Sequence, residues 1–243
     1  MTQLLEVAEV EKDFGGVRAA AGLSLSLAEG EMLCLIGPNG CGKTTLFNLV
    51  TAALKPDSGR LCFAGTDLIG LEPYQVARLG ILRKFQVPGI YPELSVAENL
   101  TVAVVGSGVG SNEAGDARLA ELLALARLED KRGQEAGRLA HGEKQWLEIA
   151  MVLARRPRLL LLDEPTNGMT VAETAATVAL IRDLHRRFGC AVLVIEHDMG
   201  FVRELGCPVA LMVRGRIERR GRYEELQADD LVREVYLGAV EPA

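Results

Sequence analysis

Residues 37–45 read Gly37-Pro38-Asn39-Gly40-Cys41-Gly42-Lys43-Thr44-Thr45, set between an apolar run at 31–36 and an apolar stretch at 46–54. The pattern G-x-x-x-x-G-K-[ST] between a strand and a helix builds a phosphate cradle. Glycines let the backbone bend so that its N–H groups converge on phosphate oxygens. The helix that follows points its positive end at the same place. In that geometry Lys43 reaches the β- and γ-phosphates of a nucleoside triphosphate, and the Thr44 hydroxyl ligates Mg²⁺. Gly37 through Gly42 and Thr45 line the phosphates, with one thiol, Cys41, inside the loop.

Downstream, RLLLLDEP at 158–165 and CAVLVIEHD at 190–198 are short unbroken apolar runs that end in acids. Such runs suit central strands of a parallel sheet covered by helices on both faces. A buried strand ending at Asp163 places that carboxylate on the coordination shell of the metal. Glu164, one residue on, accepts a proton from the attacking water or orients it. Between the two runs, residues 171–188 supply a crossover helix. The first 65 residues are β-rich, with expected strands at 4–12, 23–27, 31–36 and 60–64, and a further one at 81–85. From 88 to 156 the chain turns helical, broken by a loop at 106–115. Within it, residues 142–154 carry Trp146, Ile149, Ala150 and Leu153 at the i, i+3, i+4, i+7 spacing of an amphipathic helix. Residues 208–213 and 216–220 form a closing hairpin through Gly215, and 229–237 a short helix. The fold class is α/β.

Composition narrows the function. The 243 residues carry a formal charge of −6 with no run of Lys and Arg, which argues against nucleic acid as a partner. The longest apolar runs are too short to span a bilayer, and the acid-studded N-terminus does not read as a signal peptide. A membrane role therefore comes through a partner. Cys34, Cys41, Cys62, Cys190 and Cys207 lack CxxC spacing and read as reduced thiols. His141, His185 and His197 share no zinc-ligand spacing.

Taken in order, these pieces resemble the ATP-binding cassette family along nearly the whole chain. LAHGEKQ at 139–145 stands where that family carries LSGGQ, just upstream of LLLLDEP. Gln86, between the phosphate loop and this signature, matches the Q-loop glutamine, which contacts the metal. His197 matches the switch histidine that contacts the γ-phosphate, and Phe14 the aromatic that stacks on adenine. Singly, Phe14 reads as a core aromatic, Gln86 as a surface amide and His197 as a strand-end histidine; their order gives them these roles. The resemblance implies a P-loop NTPase core with a mixed sheet, an antiparallel β-subdomain and an inserted helical subdomain. Residues 1–243 then form one domain, with 1–87 and 157–243 as core and β-subdomain and 88–156 as the helical signature subdomain. It implies ATP and Mg²⁺ as ligands, with Glu164, His197 and Gln86 at the reaction centre. Thr44, Gln86 and Asp163 serve the metal. Ala140, His141, Gly142 and Glu143 complete the site of a second ATPase subunit, so the working form is a dimer.

The pattern is departed from in two places, the signature and the loop after Glu164. Ala140 replaces the serine whose hydroxyl would bond the γ-phosphate across the dimer, a loss of about 1.5–3 kcal/mol. His141 replaces the first glycine, while Gly142 is kept. Thr170 stands where the family's common loop has aspartate. Within the family, RKFQVPGIYPELSVAENL at 83–100, GEKQWLEIAM at 142–151 and NGMT at 167–170 resemble importers of branched-chain amino acids, amides and urea, most closely the urea-transporter ATPases. That resemblance implies membrane permease subunits, an extracytoplasmic solute-binding protein, and a place at the cytoplasmic face of the inner or plasma membrane. A lipid- or lipopolysaccharide-exporting motor and a soluble cassette in iron–sulfur assembly are the alternatives.

Overall fold

A computed structural model describes residues 2–84, 89–108 and 113–237. Among these residues the strands form two sheets. The first is antiparallel. Strands β1 (Gln3–Phe14) and β2 (Val17–Ala28) make a hairpin, β4 (Ser58–Phe63) pairs with the other edge of β1, and β5 (Thr66–Asp67) pairs with β4.

The second sheet has the order β10-β9-β3-β8-β7-β6. It comprises β3 (Met32–Ile36), β6 (Ile81–Lys84), β7 (Leu159–Asp163), β8 (Ala191–Ile195), β9 (Val209–Val213) and β10 (Arg216–Gly221). All neighbours run parallel except the β9–β10 hairpin, so the sheet is mixed. Arg214 and Gly215, which join that hairpin, both have positive φ (47° and 79°), the conformation of a tight two-residue turn.

Side chains of the central strands alternate between two apolar layers, as the period of two requires. Cys34, Ile36, Leu160, Leu162, Val192 and Val194 pack in one cluster with the helices of residues 96–154 and with α6 (Val171–Phe188). Leu33, Leu35, Leu161, Leu193 and Ile195 pack in the other, against the antiparallel sheet and α1 (Lys43–Val50). Burial on both faces explains the unbroken apolar runs.

The remaining helices are α2 (Pro73–Leu79), α3 (Val96–Gly106), α4 (Glu113–Ala126), α5 (His141–Leu153), α7 (Met199–Leu205), α8 (Tyr223–Ala228) and α9 (Asp230–Leu237). Two expectations need correction. The helix expected at 46–54 starts at Lys43 and stops at Val50, where Thr51 turns its hydroxyl back onto the Phe47 carbonyl at 2.8 Å. The loop expected at 106–115 is shorter than its composition suggests, because α3 runs to Gly106 and α4 begins at Glu113. Helix α5 presents Leu147, Ile149, Ala150 and Leu153 to the core, and its Trp146 indole N–H donates to Thr177 Oγ1 at 2.8 Å.

Candidate functional site

The C-terminal ends of β3, β8 and β7 lie side by side, where open parallel sheets bind their ligands. Strand β3 leads into Gly37, β7 ends on Asp163 with Glu164 next, and β8 is followed by Glu196 and His197. The topology thus gathers residues from three distant stretches at one edge.

The phosphate loop is wedged between two strands. A Cβ on Gly37 would lie 2.2 Å from the Met212 carbonyl oxygen of β9, and one on Gly42 2.1 Å from the Ala19 carbonyl oxygen of β2. The β9–β10 turn adds a prop: Gly215 N–H donates to the Cys41 carbonyl at 2.9 Å, and its own carbonyl accepts from Ala21 N–H at 3.1 Å. Helix α1 begins at Lys43 with no side-chain cap and no acid in its first turn, which leaves its positive end for an anion. The buried Lys43 ammonium donates to the carbonyls of Gly37 (2.7 Å) and Pro38 (3.0 Å), over the same loop. Asn39, Gly40 and Thr44 are exposed at the mouth, and Pro38 and Thr45 are half-buried.

Cys41 is buried beside Lys43. Burial pushes its thiol pKa up, and the neighbouring ammonium only partly opposes this. Since the thiolate is the reactive form, the position of Cys41 in the loop does not make it a ready target. Iodoacetamide at pH 8 should label the half-buried Cys62 well before Cys41. Site-resolved mass spectrometry reads the order, and equal rates at the two thiols would contradict the placement.

Asp163 is 1% exposed. Its Oδ2 accepts from Arg83 Nη2 at 2.5 Å, while Oδ1 is buried with no hydrogen-bond partner among the described residues. An orphaned carboxylate oxygen at a strand end fits a hard divalent cation. Among the described residues there is no cluster of three or more His, Cys, Asp or Glu side chains able to hold a metal.

Glu164 has φ +45°, a left-handed conformation that costs a residue with a side chain about 1–2 kcal/mol. Its N–H is fixed by the Ile195 carbonyl at 2.9 Å, and its Oε1 lies 3.8 Å from His197 Nδ1. The His197 side chain is 57% exposed. Sequence reasoning missed Glu196, a buried carboxylate between these parts. One of its oxygens accepts from the N–H (3.0 Å) and hydroxyl (2.6 Å) of Thr166, and the other from His197 N–H at 3.1 Å. It ties the loop after Glu164 to the strand end carrying His197. The only signal was an acid at the end of an apolar strand, which reads equally well as a solvated terminus.

Phe14, at the end of β1, is 47% exposed, with the Lys12 ammonium 5.6 Å from its ring centroid. It offers an open aromatic face. Gln86, together with Phe85 and Pro88, lies outside the described residues. The chain on either side of it is held by one carboxylate: Glu148 of α5 lies 3.6 Å from the buried Lys84 ammonium and accepts from Gly89 N–H at 3.1 Å.

The signature residues open α5. Ala140 N–H donates to Glu143 Oε2 at 3.0 Å, and Glu143 also pairs with Lys131. His141 Nε2 meets the Asn167 carbonyl oxygen at 3.0 Å, and Gly142 N–H donates to Glu173 Oε1 at 3.3 Å. Among the described residues, the hydrogen bonds of residues 140–143 outside α5 run to Lys131, Asn167 and Glu173, and none reaches the phosphate loop. Thr170 serves as the N-cap of α6, its hydroxyl accepting from Glu173 N–H at 3.3 Å.

A phosphate loop at a helix N-terminus, with an acidic pair at the same edge of the sheet on β7, one strand beyond β8, defines a P-loop nucleotide-binding protein. Residues 20–167 match the family model described as ABC transporter. The chain belongs to the ABC transporter family. It is 36% identical to the high-affinity branched-chain amino acid transport ATP-binding protein LivG of Salmonella typhimurium, covering 97% of this chain and 98% of LivG. It is also 36% identical to the spermidine/putrescine import ATP-binding protein PotA of Pseudomonas aeruginosa, over 89% of this chain but only 58% of PotA's length. Among solved structures, the ADP conformation of the ATP-binding cassette MJ1267 superposes with a TM-score of 0.86 at 28% identity, covering 98% of this chain and all of that one. The cassette MJ0796, a dimer in a post-hydrolysis state with ADP and phosphate, gives 0.78 at 25% identity, covering 90% and 99%.

Proposed function

We propose that this chain hydrolyses ATP as one of a pair of subunits driving an importer of branched-chain amino acids or of a related small amide such as urea. The observation that carries the chemistry is the edge where the phosphate loop, Asp163, Glu164 and His197 converge. In this reading the loop amides and Lys43 grip the phosphates, and Phe14 stacks on adenine. Thr44 and Asp163, with Gln86, would hold Mg²⁺, which would supply positive charge against the phosphates. Glu164 accepts a proton from the attacking water or orients it. His197 contacts the γ-phosphate and is aligned with Glu164 through Glu196. Ala140, His141, Gly142 and Glu143, at the positive end of α5, complete the partner's site. The near end-to-end likeness to LivG supports a branched-chain amino acid importer. The urea reading rests on the signature helix around Trp146.

No helix among the described residues is long and apolar enough to cross a membrane, so coupling to transport needs a docking site. An apolar groove of about 530 Å³ lies between α2 and the helices α3 and α5, lined by Val76, Tyr91, Val102, Met151 and Val152. Tyr91 and Val102 are exposed, as are Tyr74 and Val105. The groove would receive a short cytoplasmic helix of a permease subunit. It borders Gly89 and Arg83, on either side of the Gln86 segment, so its occupant could sense nucleotide state. Placing a charge in it should break docking without touching the phosphates. Tyr91→Glu is expected to lower solute uptake by about tenfold or more, while ATPase activity of the isolated chain stays within about twofold. Full uptake in reconstituted vesicles would remove the groove from the mechanism. Copurification of the assembled complex with permease and solute-binding subunits separates the importer from an exporter or a soluble cassette.

A further inference from the structure

The two oxygens of Asp163 are treated differently. Oδ2 is held by Arg83 at 2.5 Å, whereas Oδ1 is buried and has no hydrogen-bond partner among the described residues. Arg83 lies on β6, the strand beside β7, and its side chain is almost wholly buried. The other arm of its guanidinium donates to Asn48 Oδ1 at 2.6 Å, and the group sits 5.3 Å from the Phe47 ring centroid. Phe47 and Asn48 belong to α1, the helix that opens at Lys43 and carries Thr44. One guanidinium therefore joins three elements: β6, the strand ending in Asp163, and the helix that starts in the phosphate loop.

We propose that Arg83 is a positioning residue for the ATPase reaction: its fork locks Asp163 in the orientation that leaves Oδ1 for the metal and keys that carboxylate to the helix bearing Thr44. The inference rests on the reading of Asp163 and Thr44 as the metal's protein ligands. A fork is needed because the two acceptors lie on different elements. Lysine, with a single nitrogen, cannot reproduce a planar two-armed contact. Groups that orient a ligating carboxylate in this way govern metal affinity by about 10–100-fold.

The sign of the effect separates positioning from simple charge. A buried cation beside a metal site repels the metal, so its removal should tighten metal binding if charge is all it contributes. If Arg83 positions Asp163, its removal frees the carboxylate to rotate, and metal binding weakens.

The experiment titrates Mn²⁺, followed by electron paramagnetic resonance, into the full chain saturated with a non-hydrolysable ATP analogue. Arg83→Met and Arg83→Lys are each expected to weaken Mn²⁺ binding about tenfold or more, and Asn48→Ala about threefold, by releasing one of the two anchors. Affinity for the analogue in EDTA should stay within about twofold, since Lys43 and the loop amides are untouched. Should Arg83→Met fail to fold, Arg83→Lys and Asn48→Ala decide the matter, since neither strips Asp163 of a neighbouring cation. Unchanged or tighter Mn²⁺ binding in the Arg83 variants overturns the inference, provided Asp163→Ala weakens it. If Asp163→Ala also leaves Mn²⁺ binding unchanged, the assignment of the metal site is what fails.

Discussion

Replacing Glu164 with glutamine is expected to lower ATP turnover by about 10²–10⁴-fold, the usual contribution of a positioned general base. Glutamine keeps the shape of the side chain and can keep contact with His197, which stands 3.8 Å from the carboxylate. It cannot take a proton. The backbone at this residue should be indifferent to the change, because its position is set by the bond from Glu164 N–H to the Ile195 carbonyl. ATP should therefore still bind, and the bound state should persist. On the proposal that residues 140–143 complete a partner's site, the persistent species is expected to be a dimer, visible by light scattering on adding Mg·ATP and absent with ADP. Ala140 lacks the hydroxyl that would strengthen this sandwich, so dimerisation should be about 10–100-fold weaker than with serine at this position. Rapid phosphate release by the glutamine variant would strip Glu164 of its role. Parent turnover per molecule that stays constant on dilution would dispose of the pairing.

Gly42→Ala, with Gly37→Ala, should be among the most damaging single-methyl changes in the phosphate loop. The added carbon would sit 2.1 Å from the Ala19 carbonyl oxygen and 2.8 Å from the Met212 methyl. Met212 can swing aside, but the carbonyl belongs to the backbone of β2 and is fixed by the hairpin with β1. The φ of 108° at Gly42 is strained for alanine as well. Overpacking of this kind costs about 1–3 kcal/mol and the left-handed backbone about 1–2 kcal/mol. A stability loss of about 3 kcal/mol is expected from their sum, with nucleotide affinity down at least tenfold as the first turn of α1 shifts. Gly40→Ala is the internal control: its φ is +78°, but nothing lies within 4 Å of the added carbon, so it should lose only the backbone part. Urea unfolding and fluorescent-nucleotide titration report both quantities. Equal losses at the two glycines would show that close approach to β2 is not what makes Gly42 necessary.

Much of the architecture could be read from residues 31–45 and 158–198, because fully buried parallel strands leave unbroken apolar runs and the crossover helix between them has clear ends. Its start is set by Thr170 as cap and its stop by Gly189 in the left-handed conformation. The helix after the phosphate loop was placed three residues late, since Lys43, Thr44 and Thr45 read as loop chemistry although they form its first turn. Short helices such as α2 and α7 left weak periodicity. Their signals were local: a Glu72–Gln75 capping box and an Asp198 side chain that accepts from Gly200 and Phe201. Glu196 and Arg83 were invisible for another reason. Each acts by bonding residues 30 or 80 positions away, and no local pattern records such a pairing. Order along the chain suggested roles for Phe14 and His197, and the structure adds their exposure and neighbours.

The tight turn at Arg214–Gly215 leans on the phosphate loop and on β2 at once. Residues 20–167, which carry most of the recognisable signature of the family, thus rest on a keystone formed well beyond them. An insertion or a bulky side chain at this turn would be transmitted to the Cys41 carbonyl and the glycines beside it. Ligand-binding defects then arise from a stretch that contains none of the motifs, and a fragment cut after Glu164 would keep the letters of the phosphate loop and the acidic pair but lose His197 and the wall behind the loop.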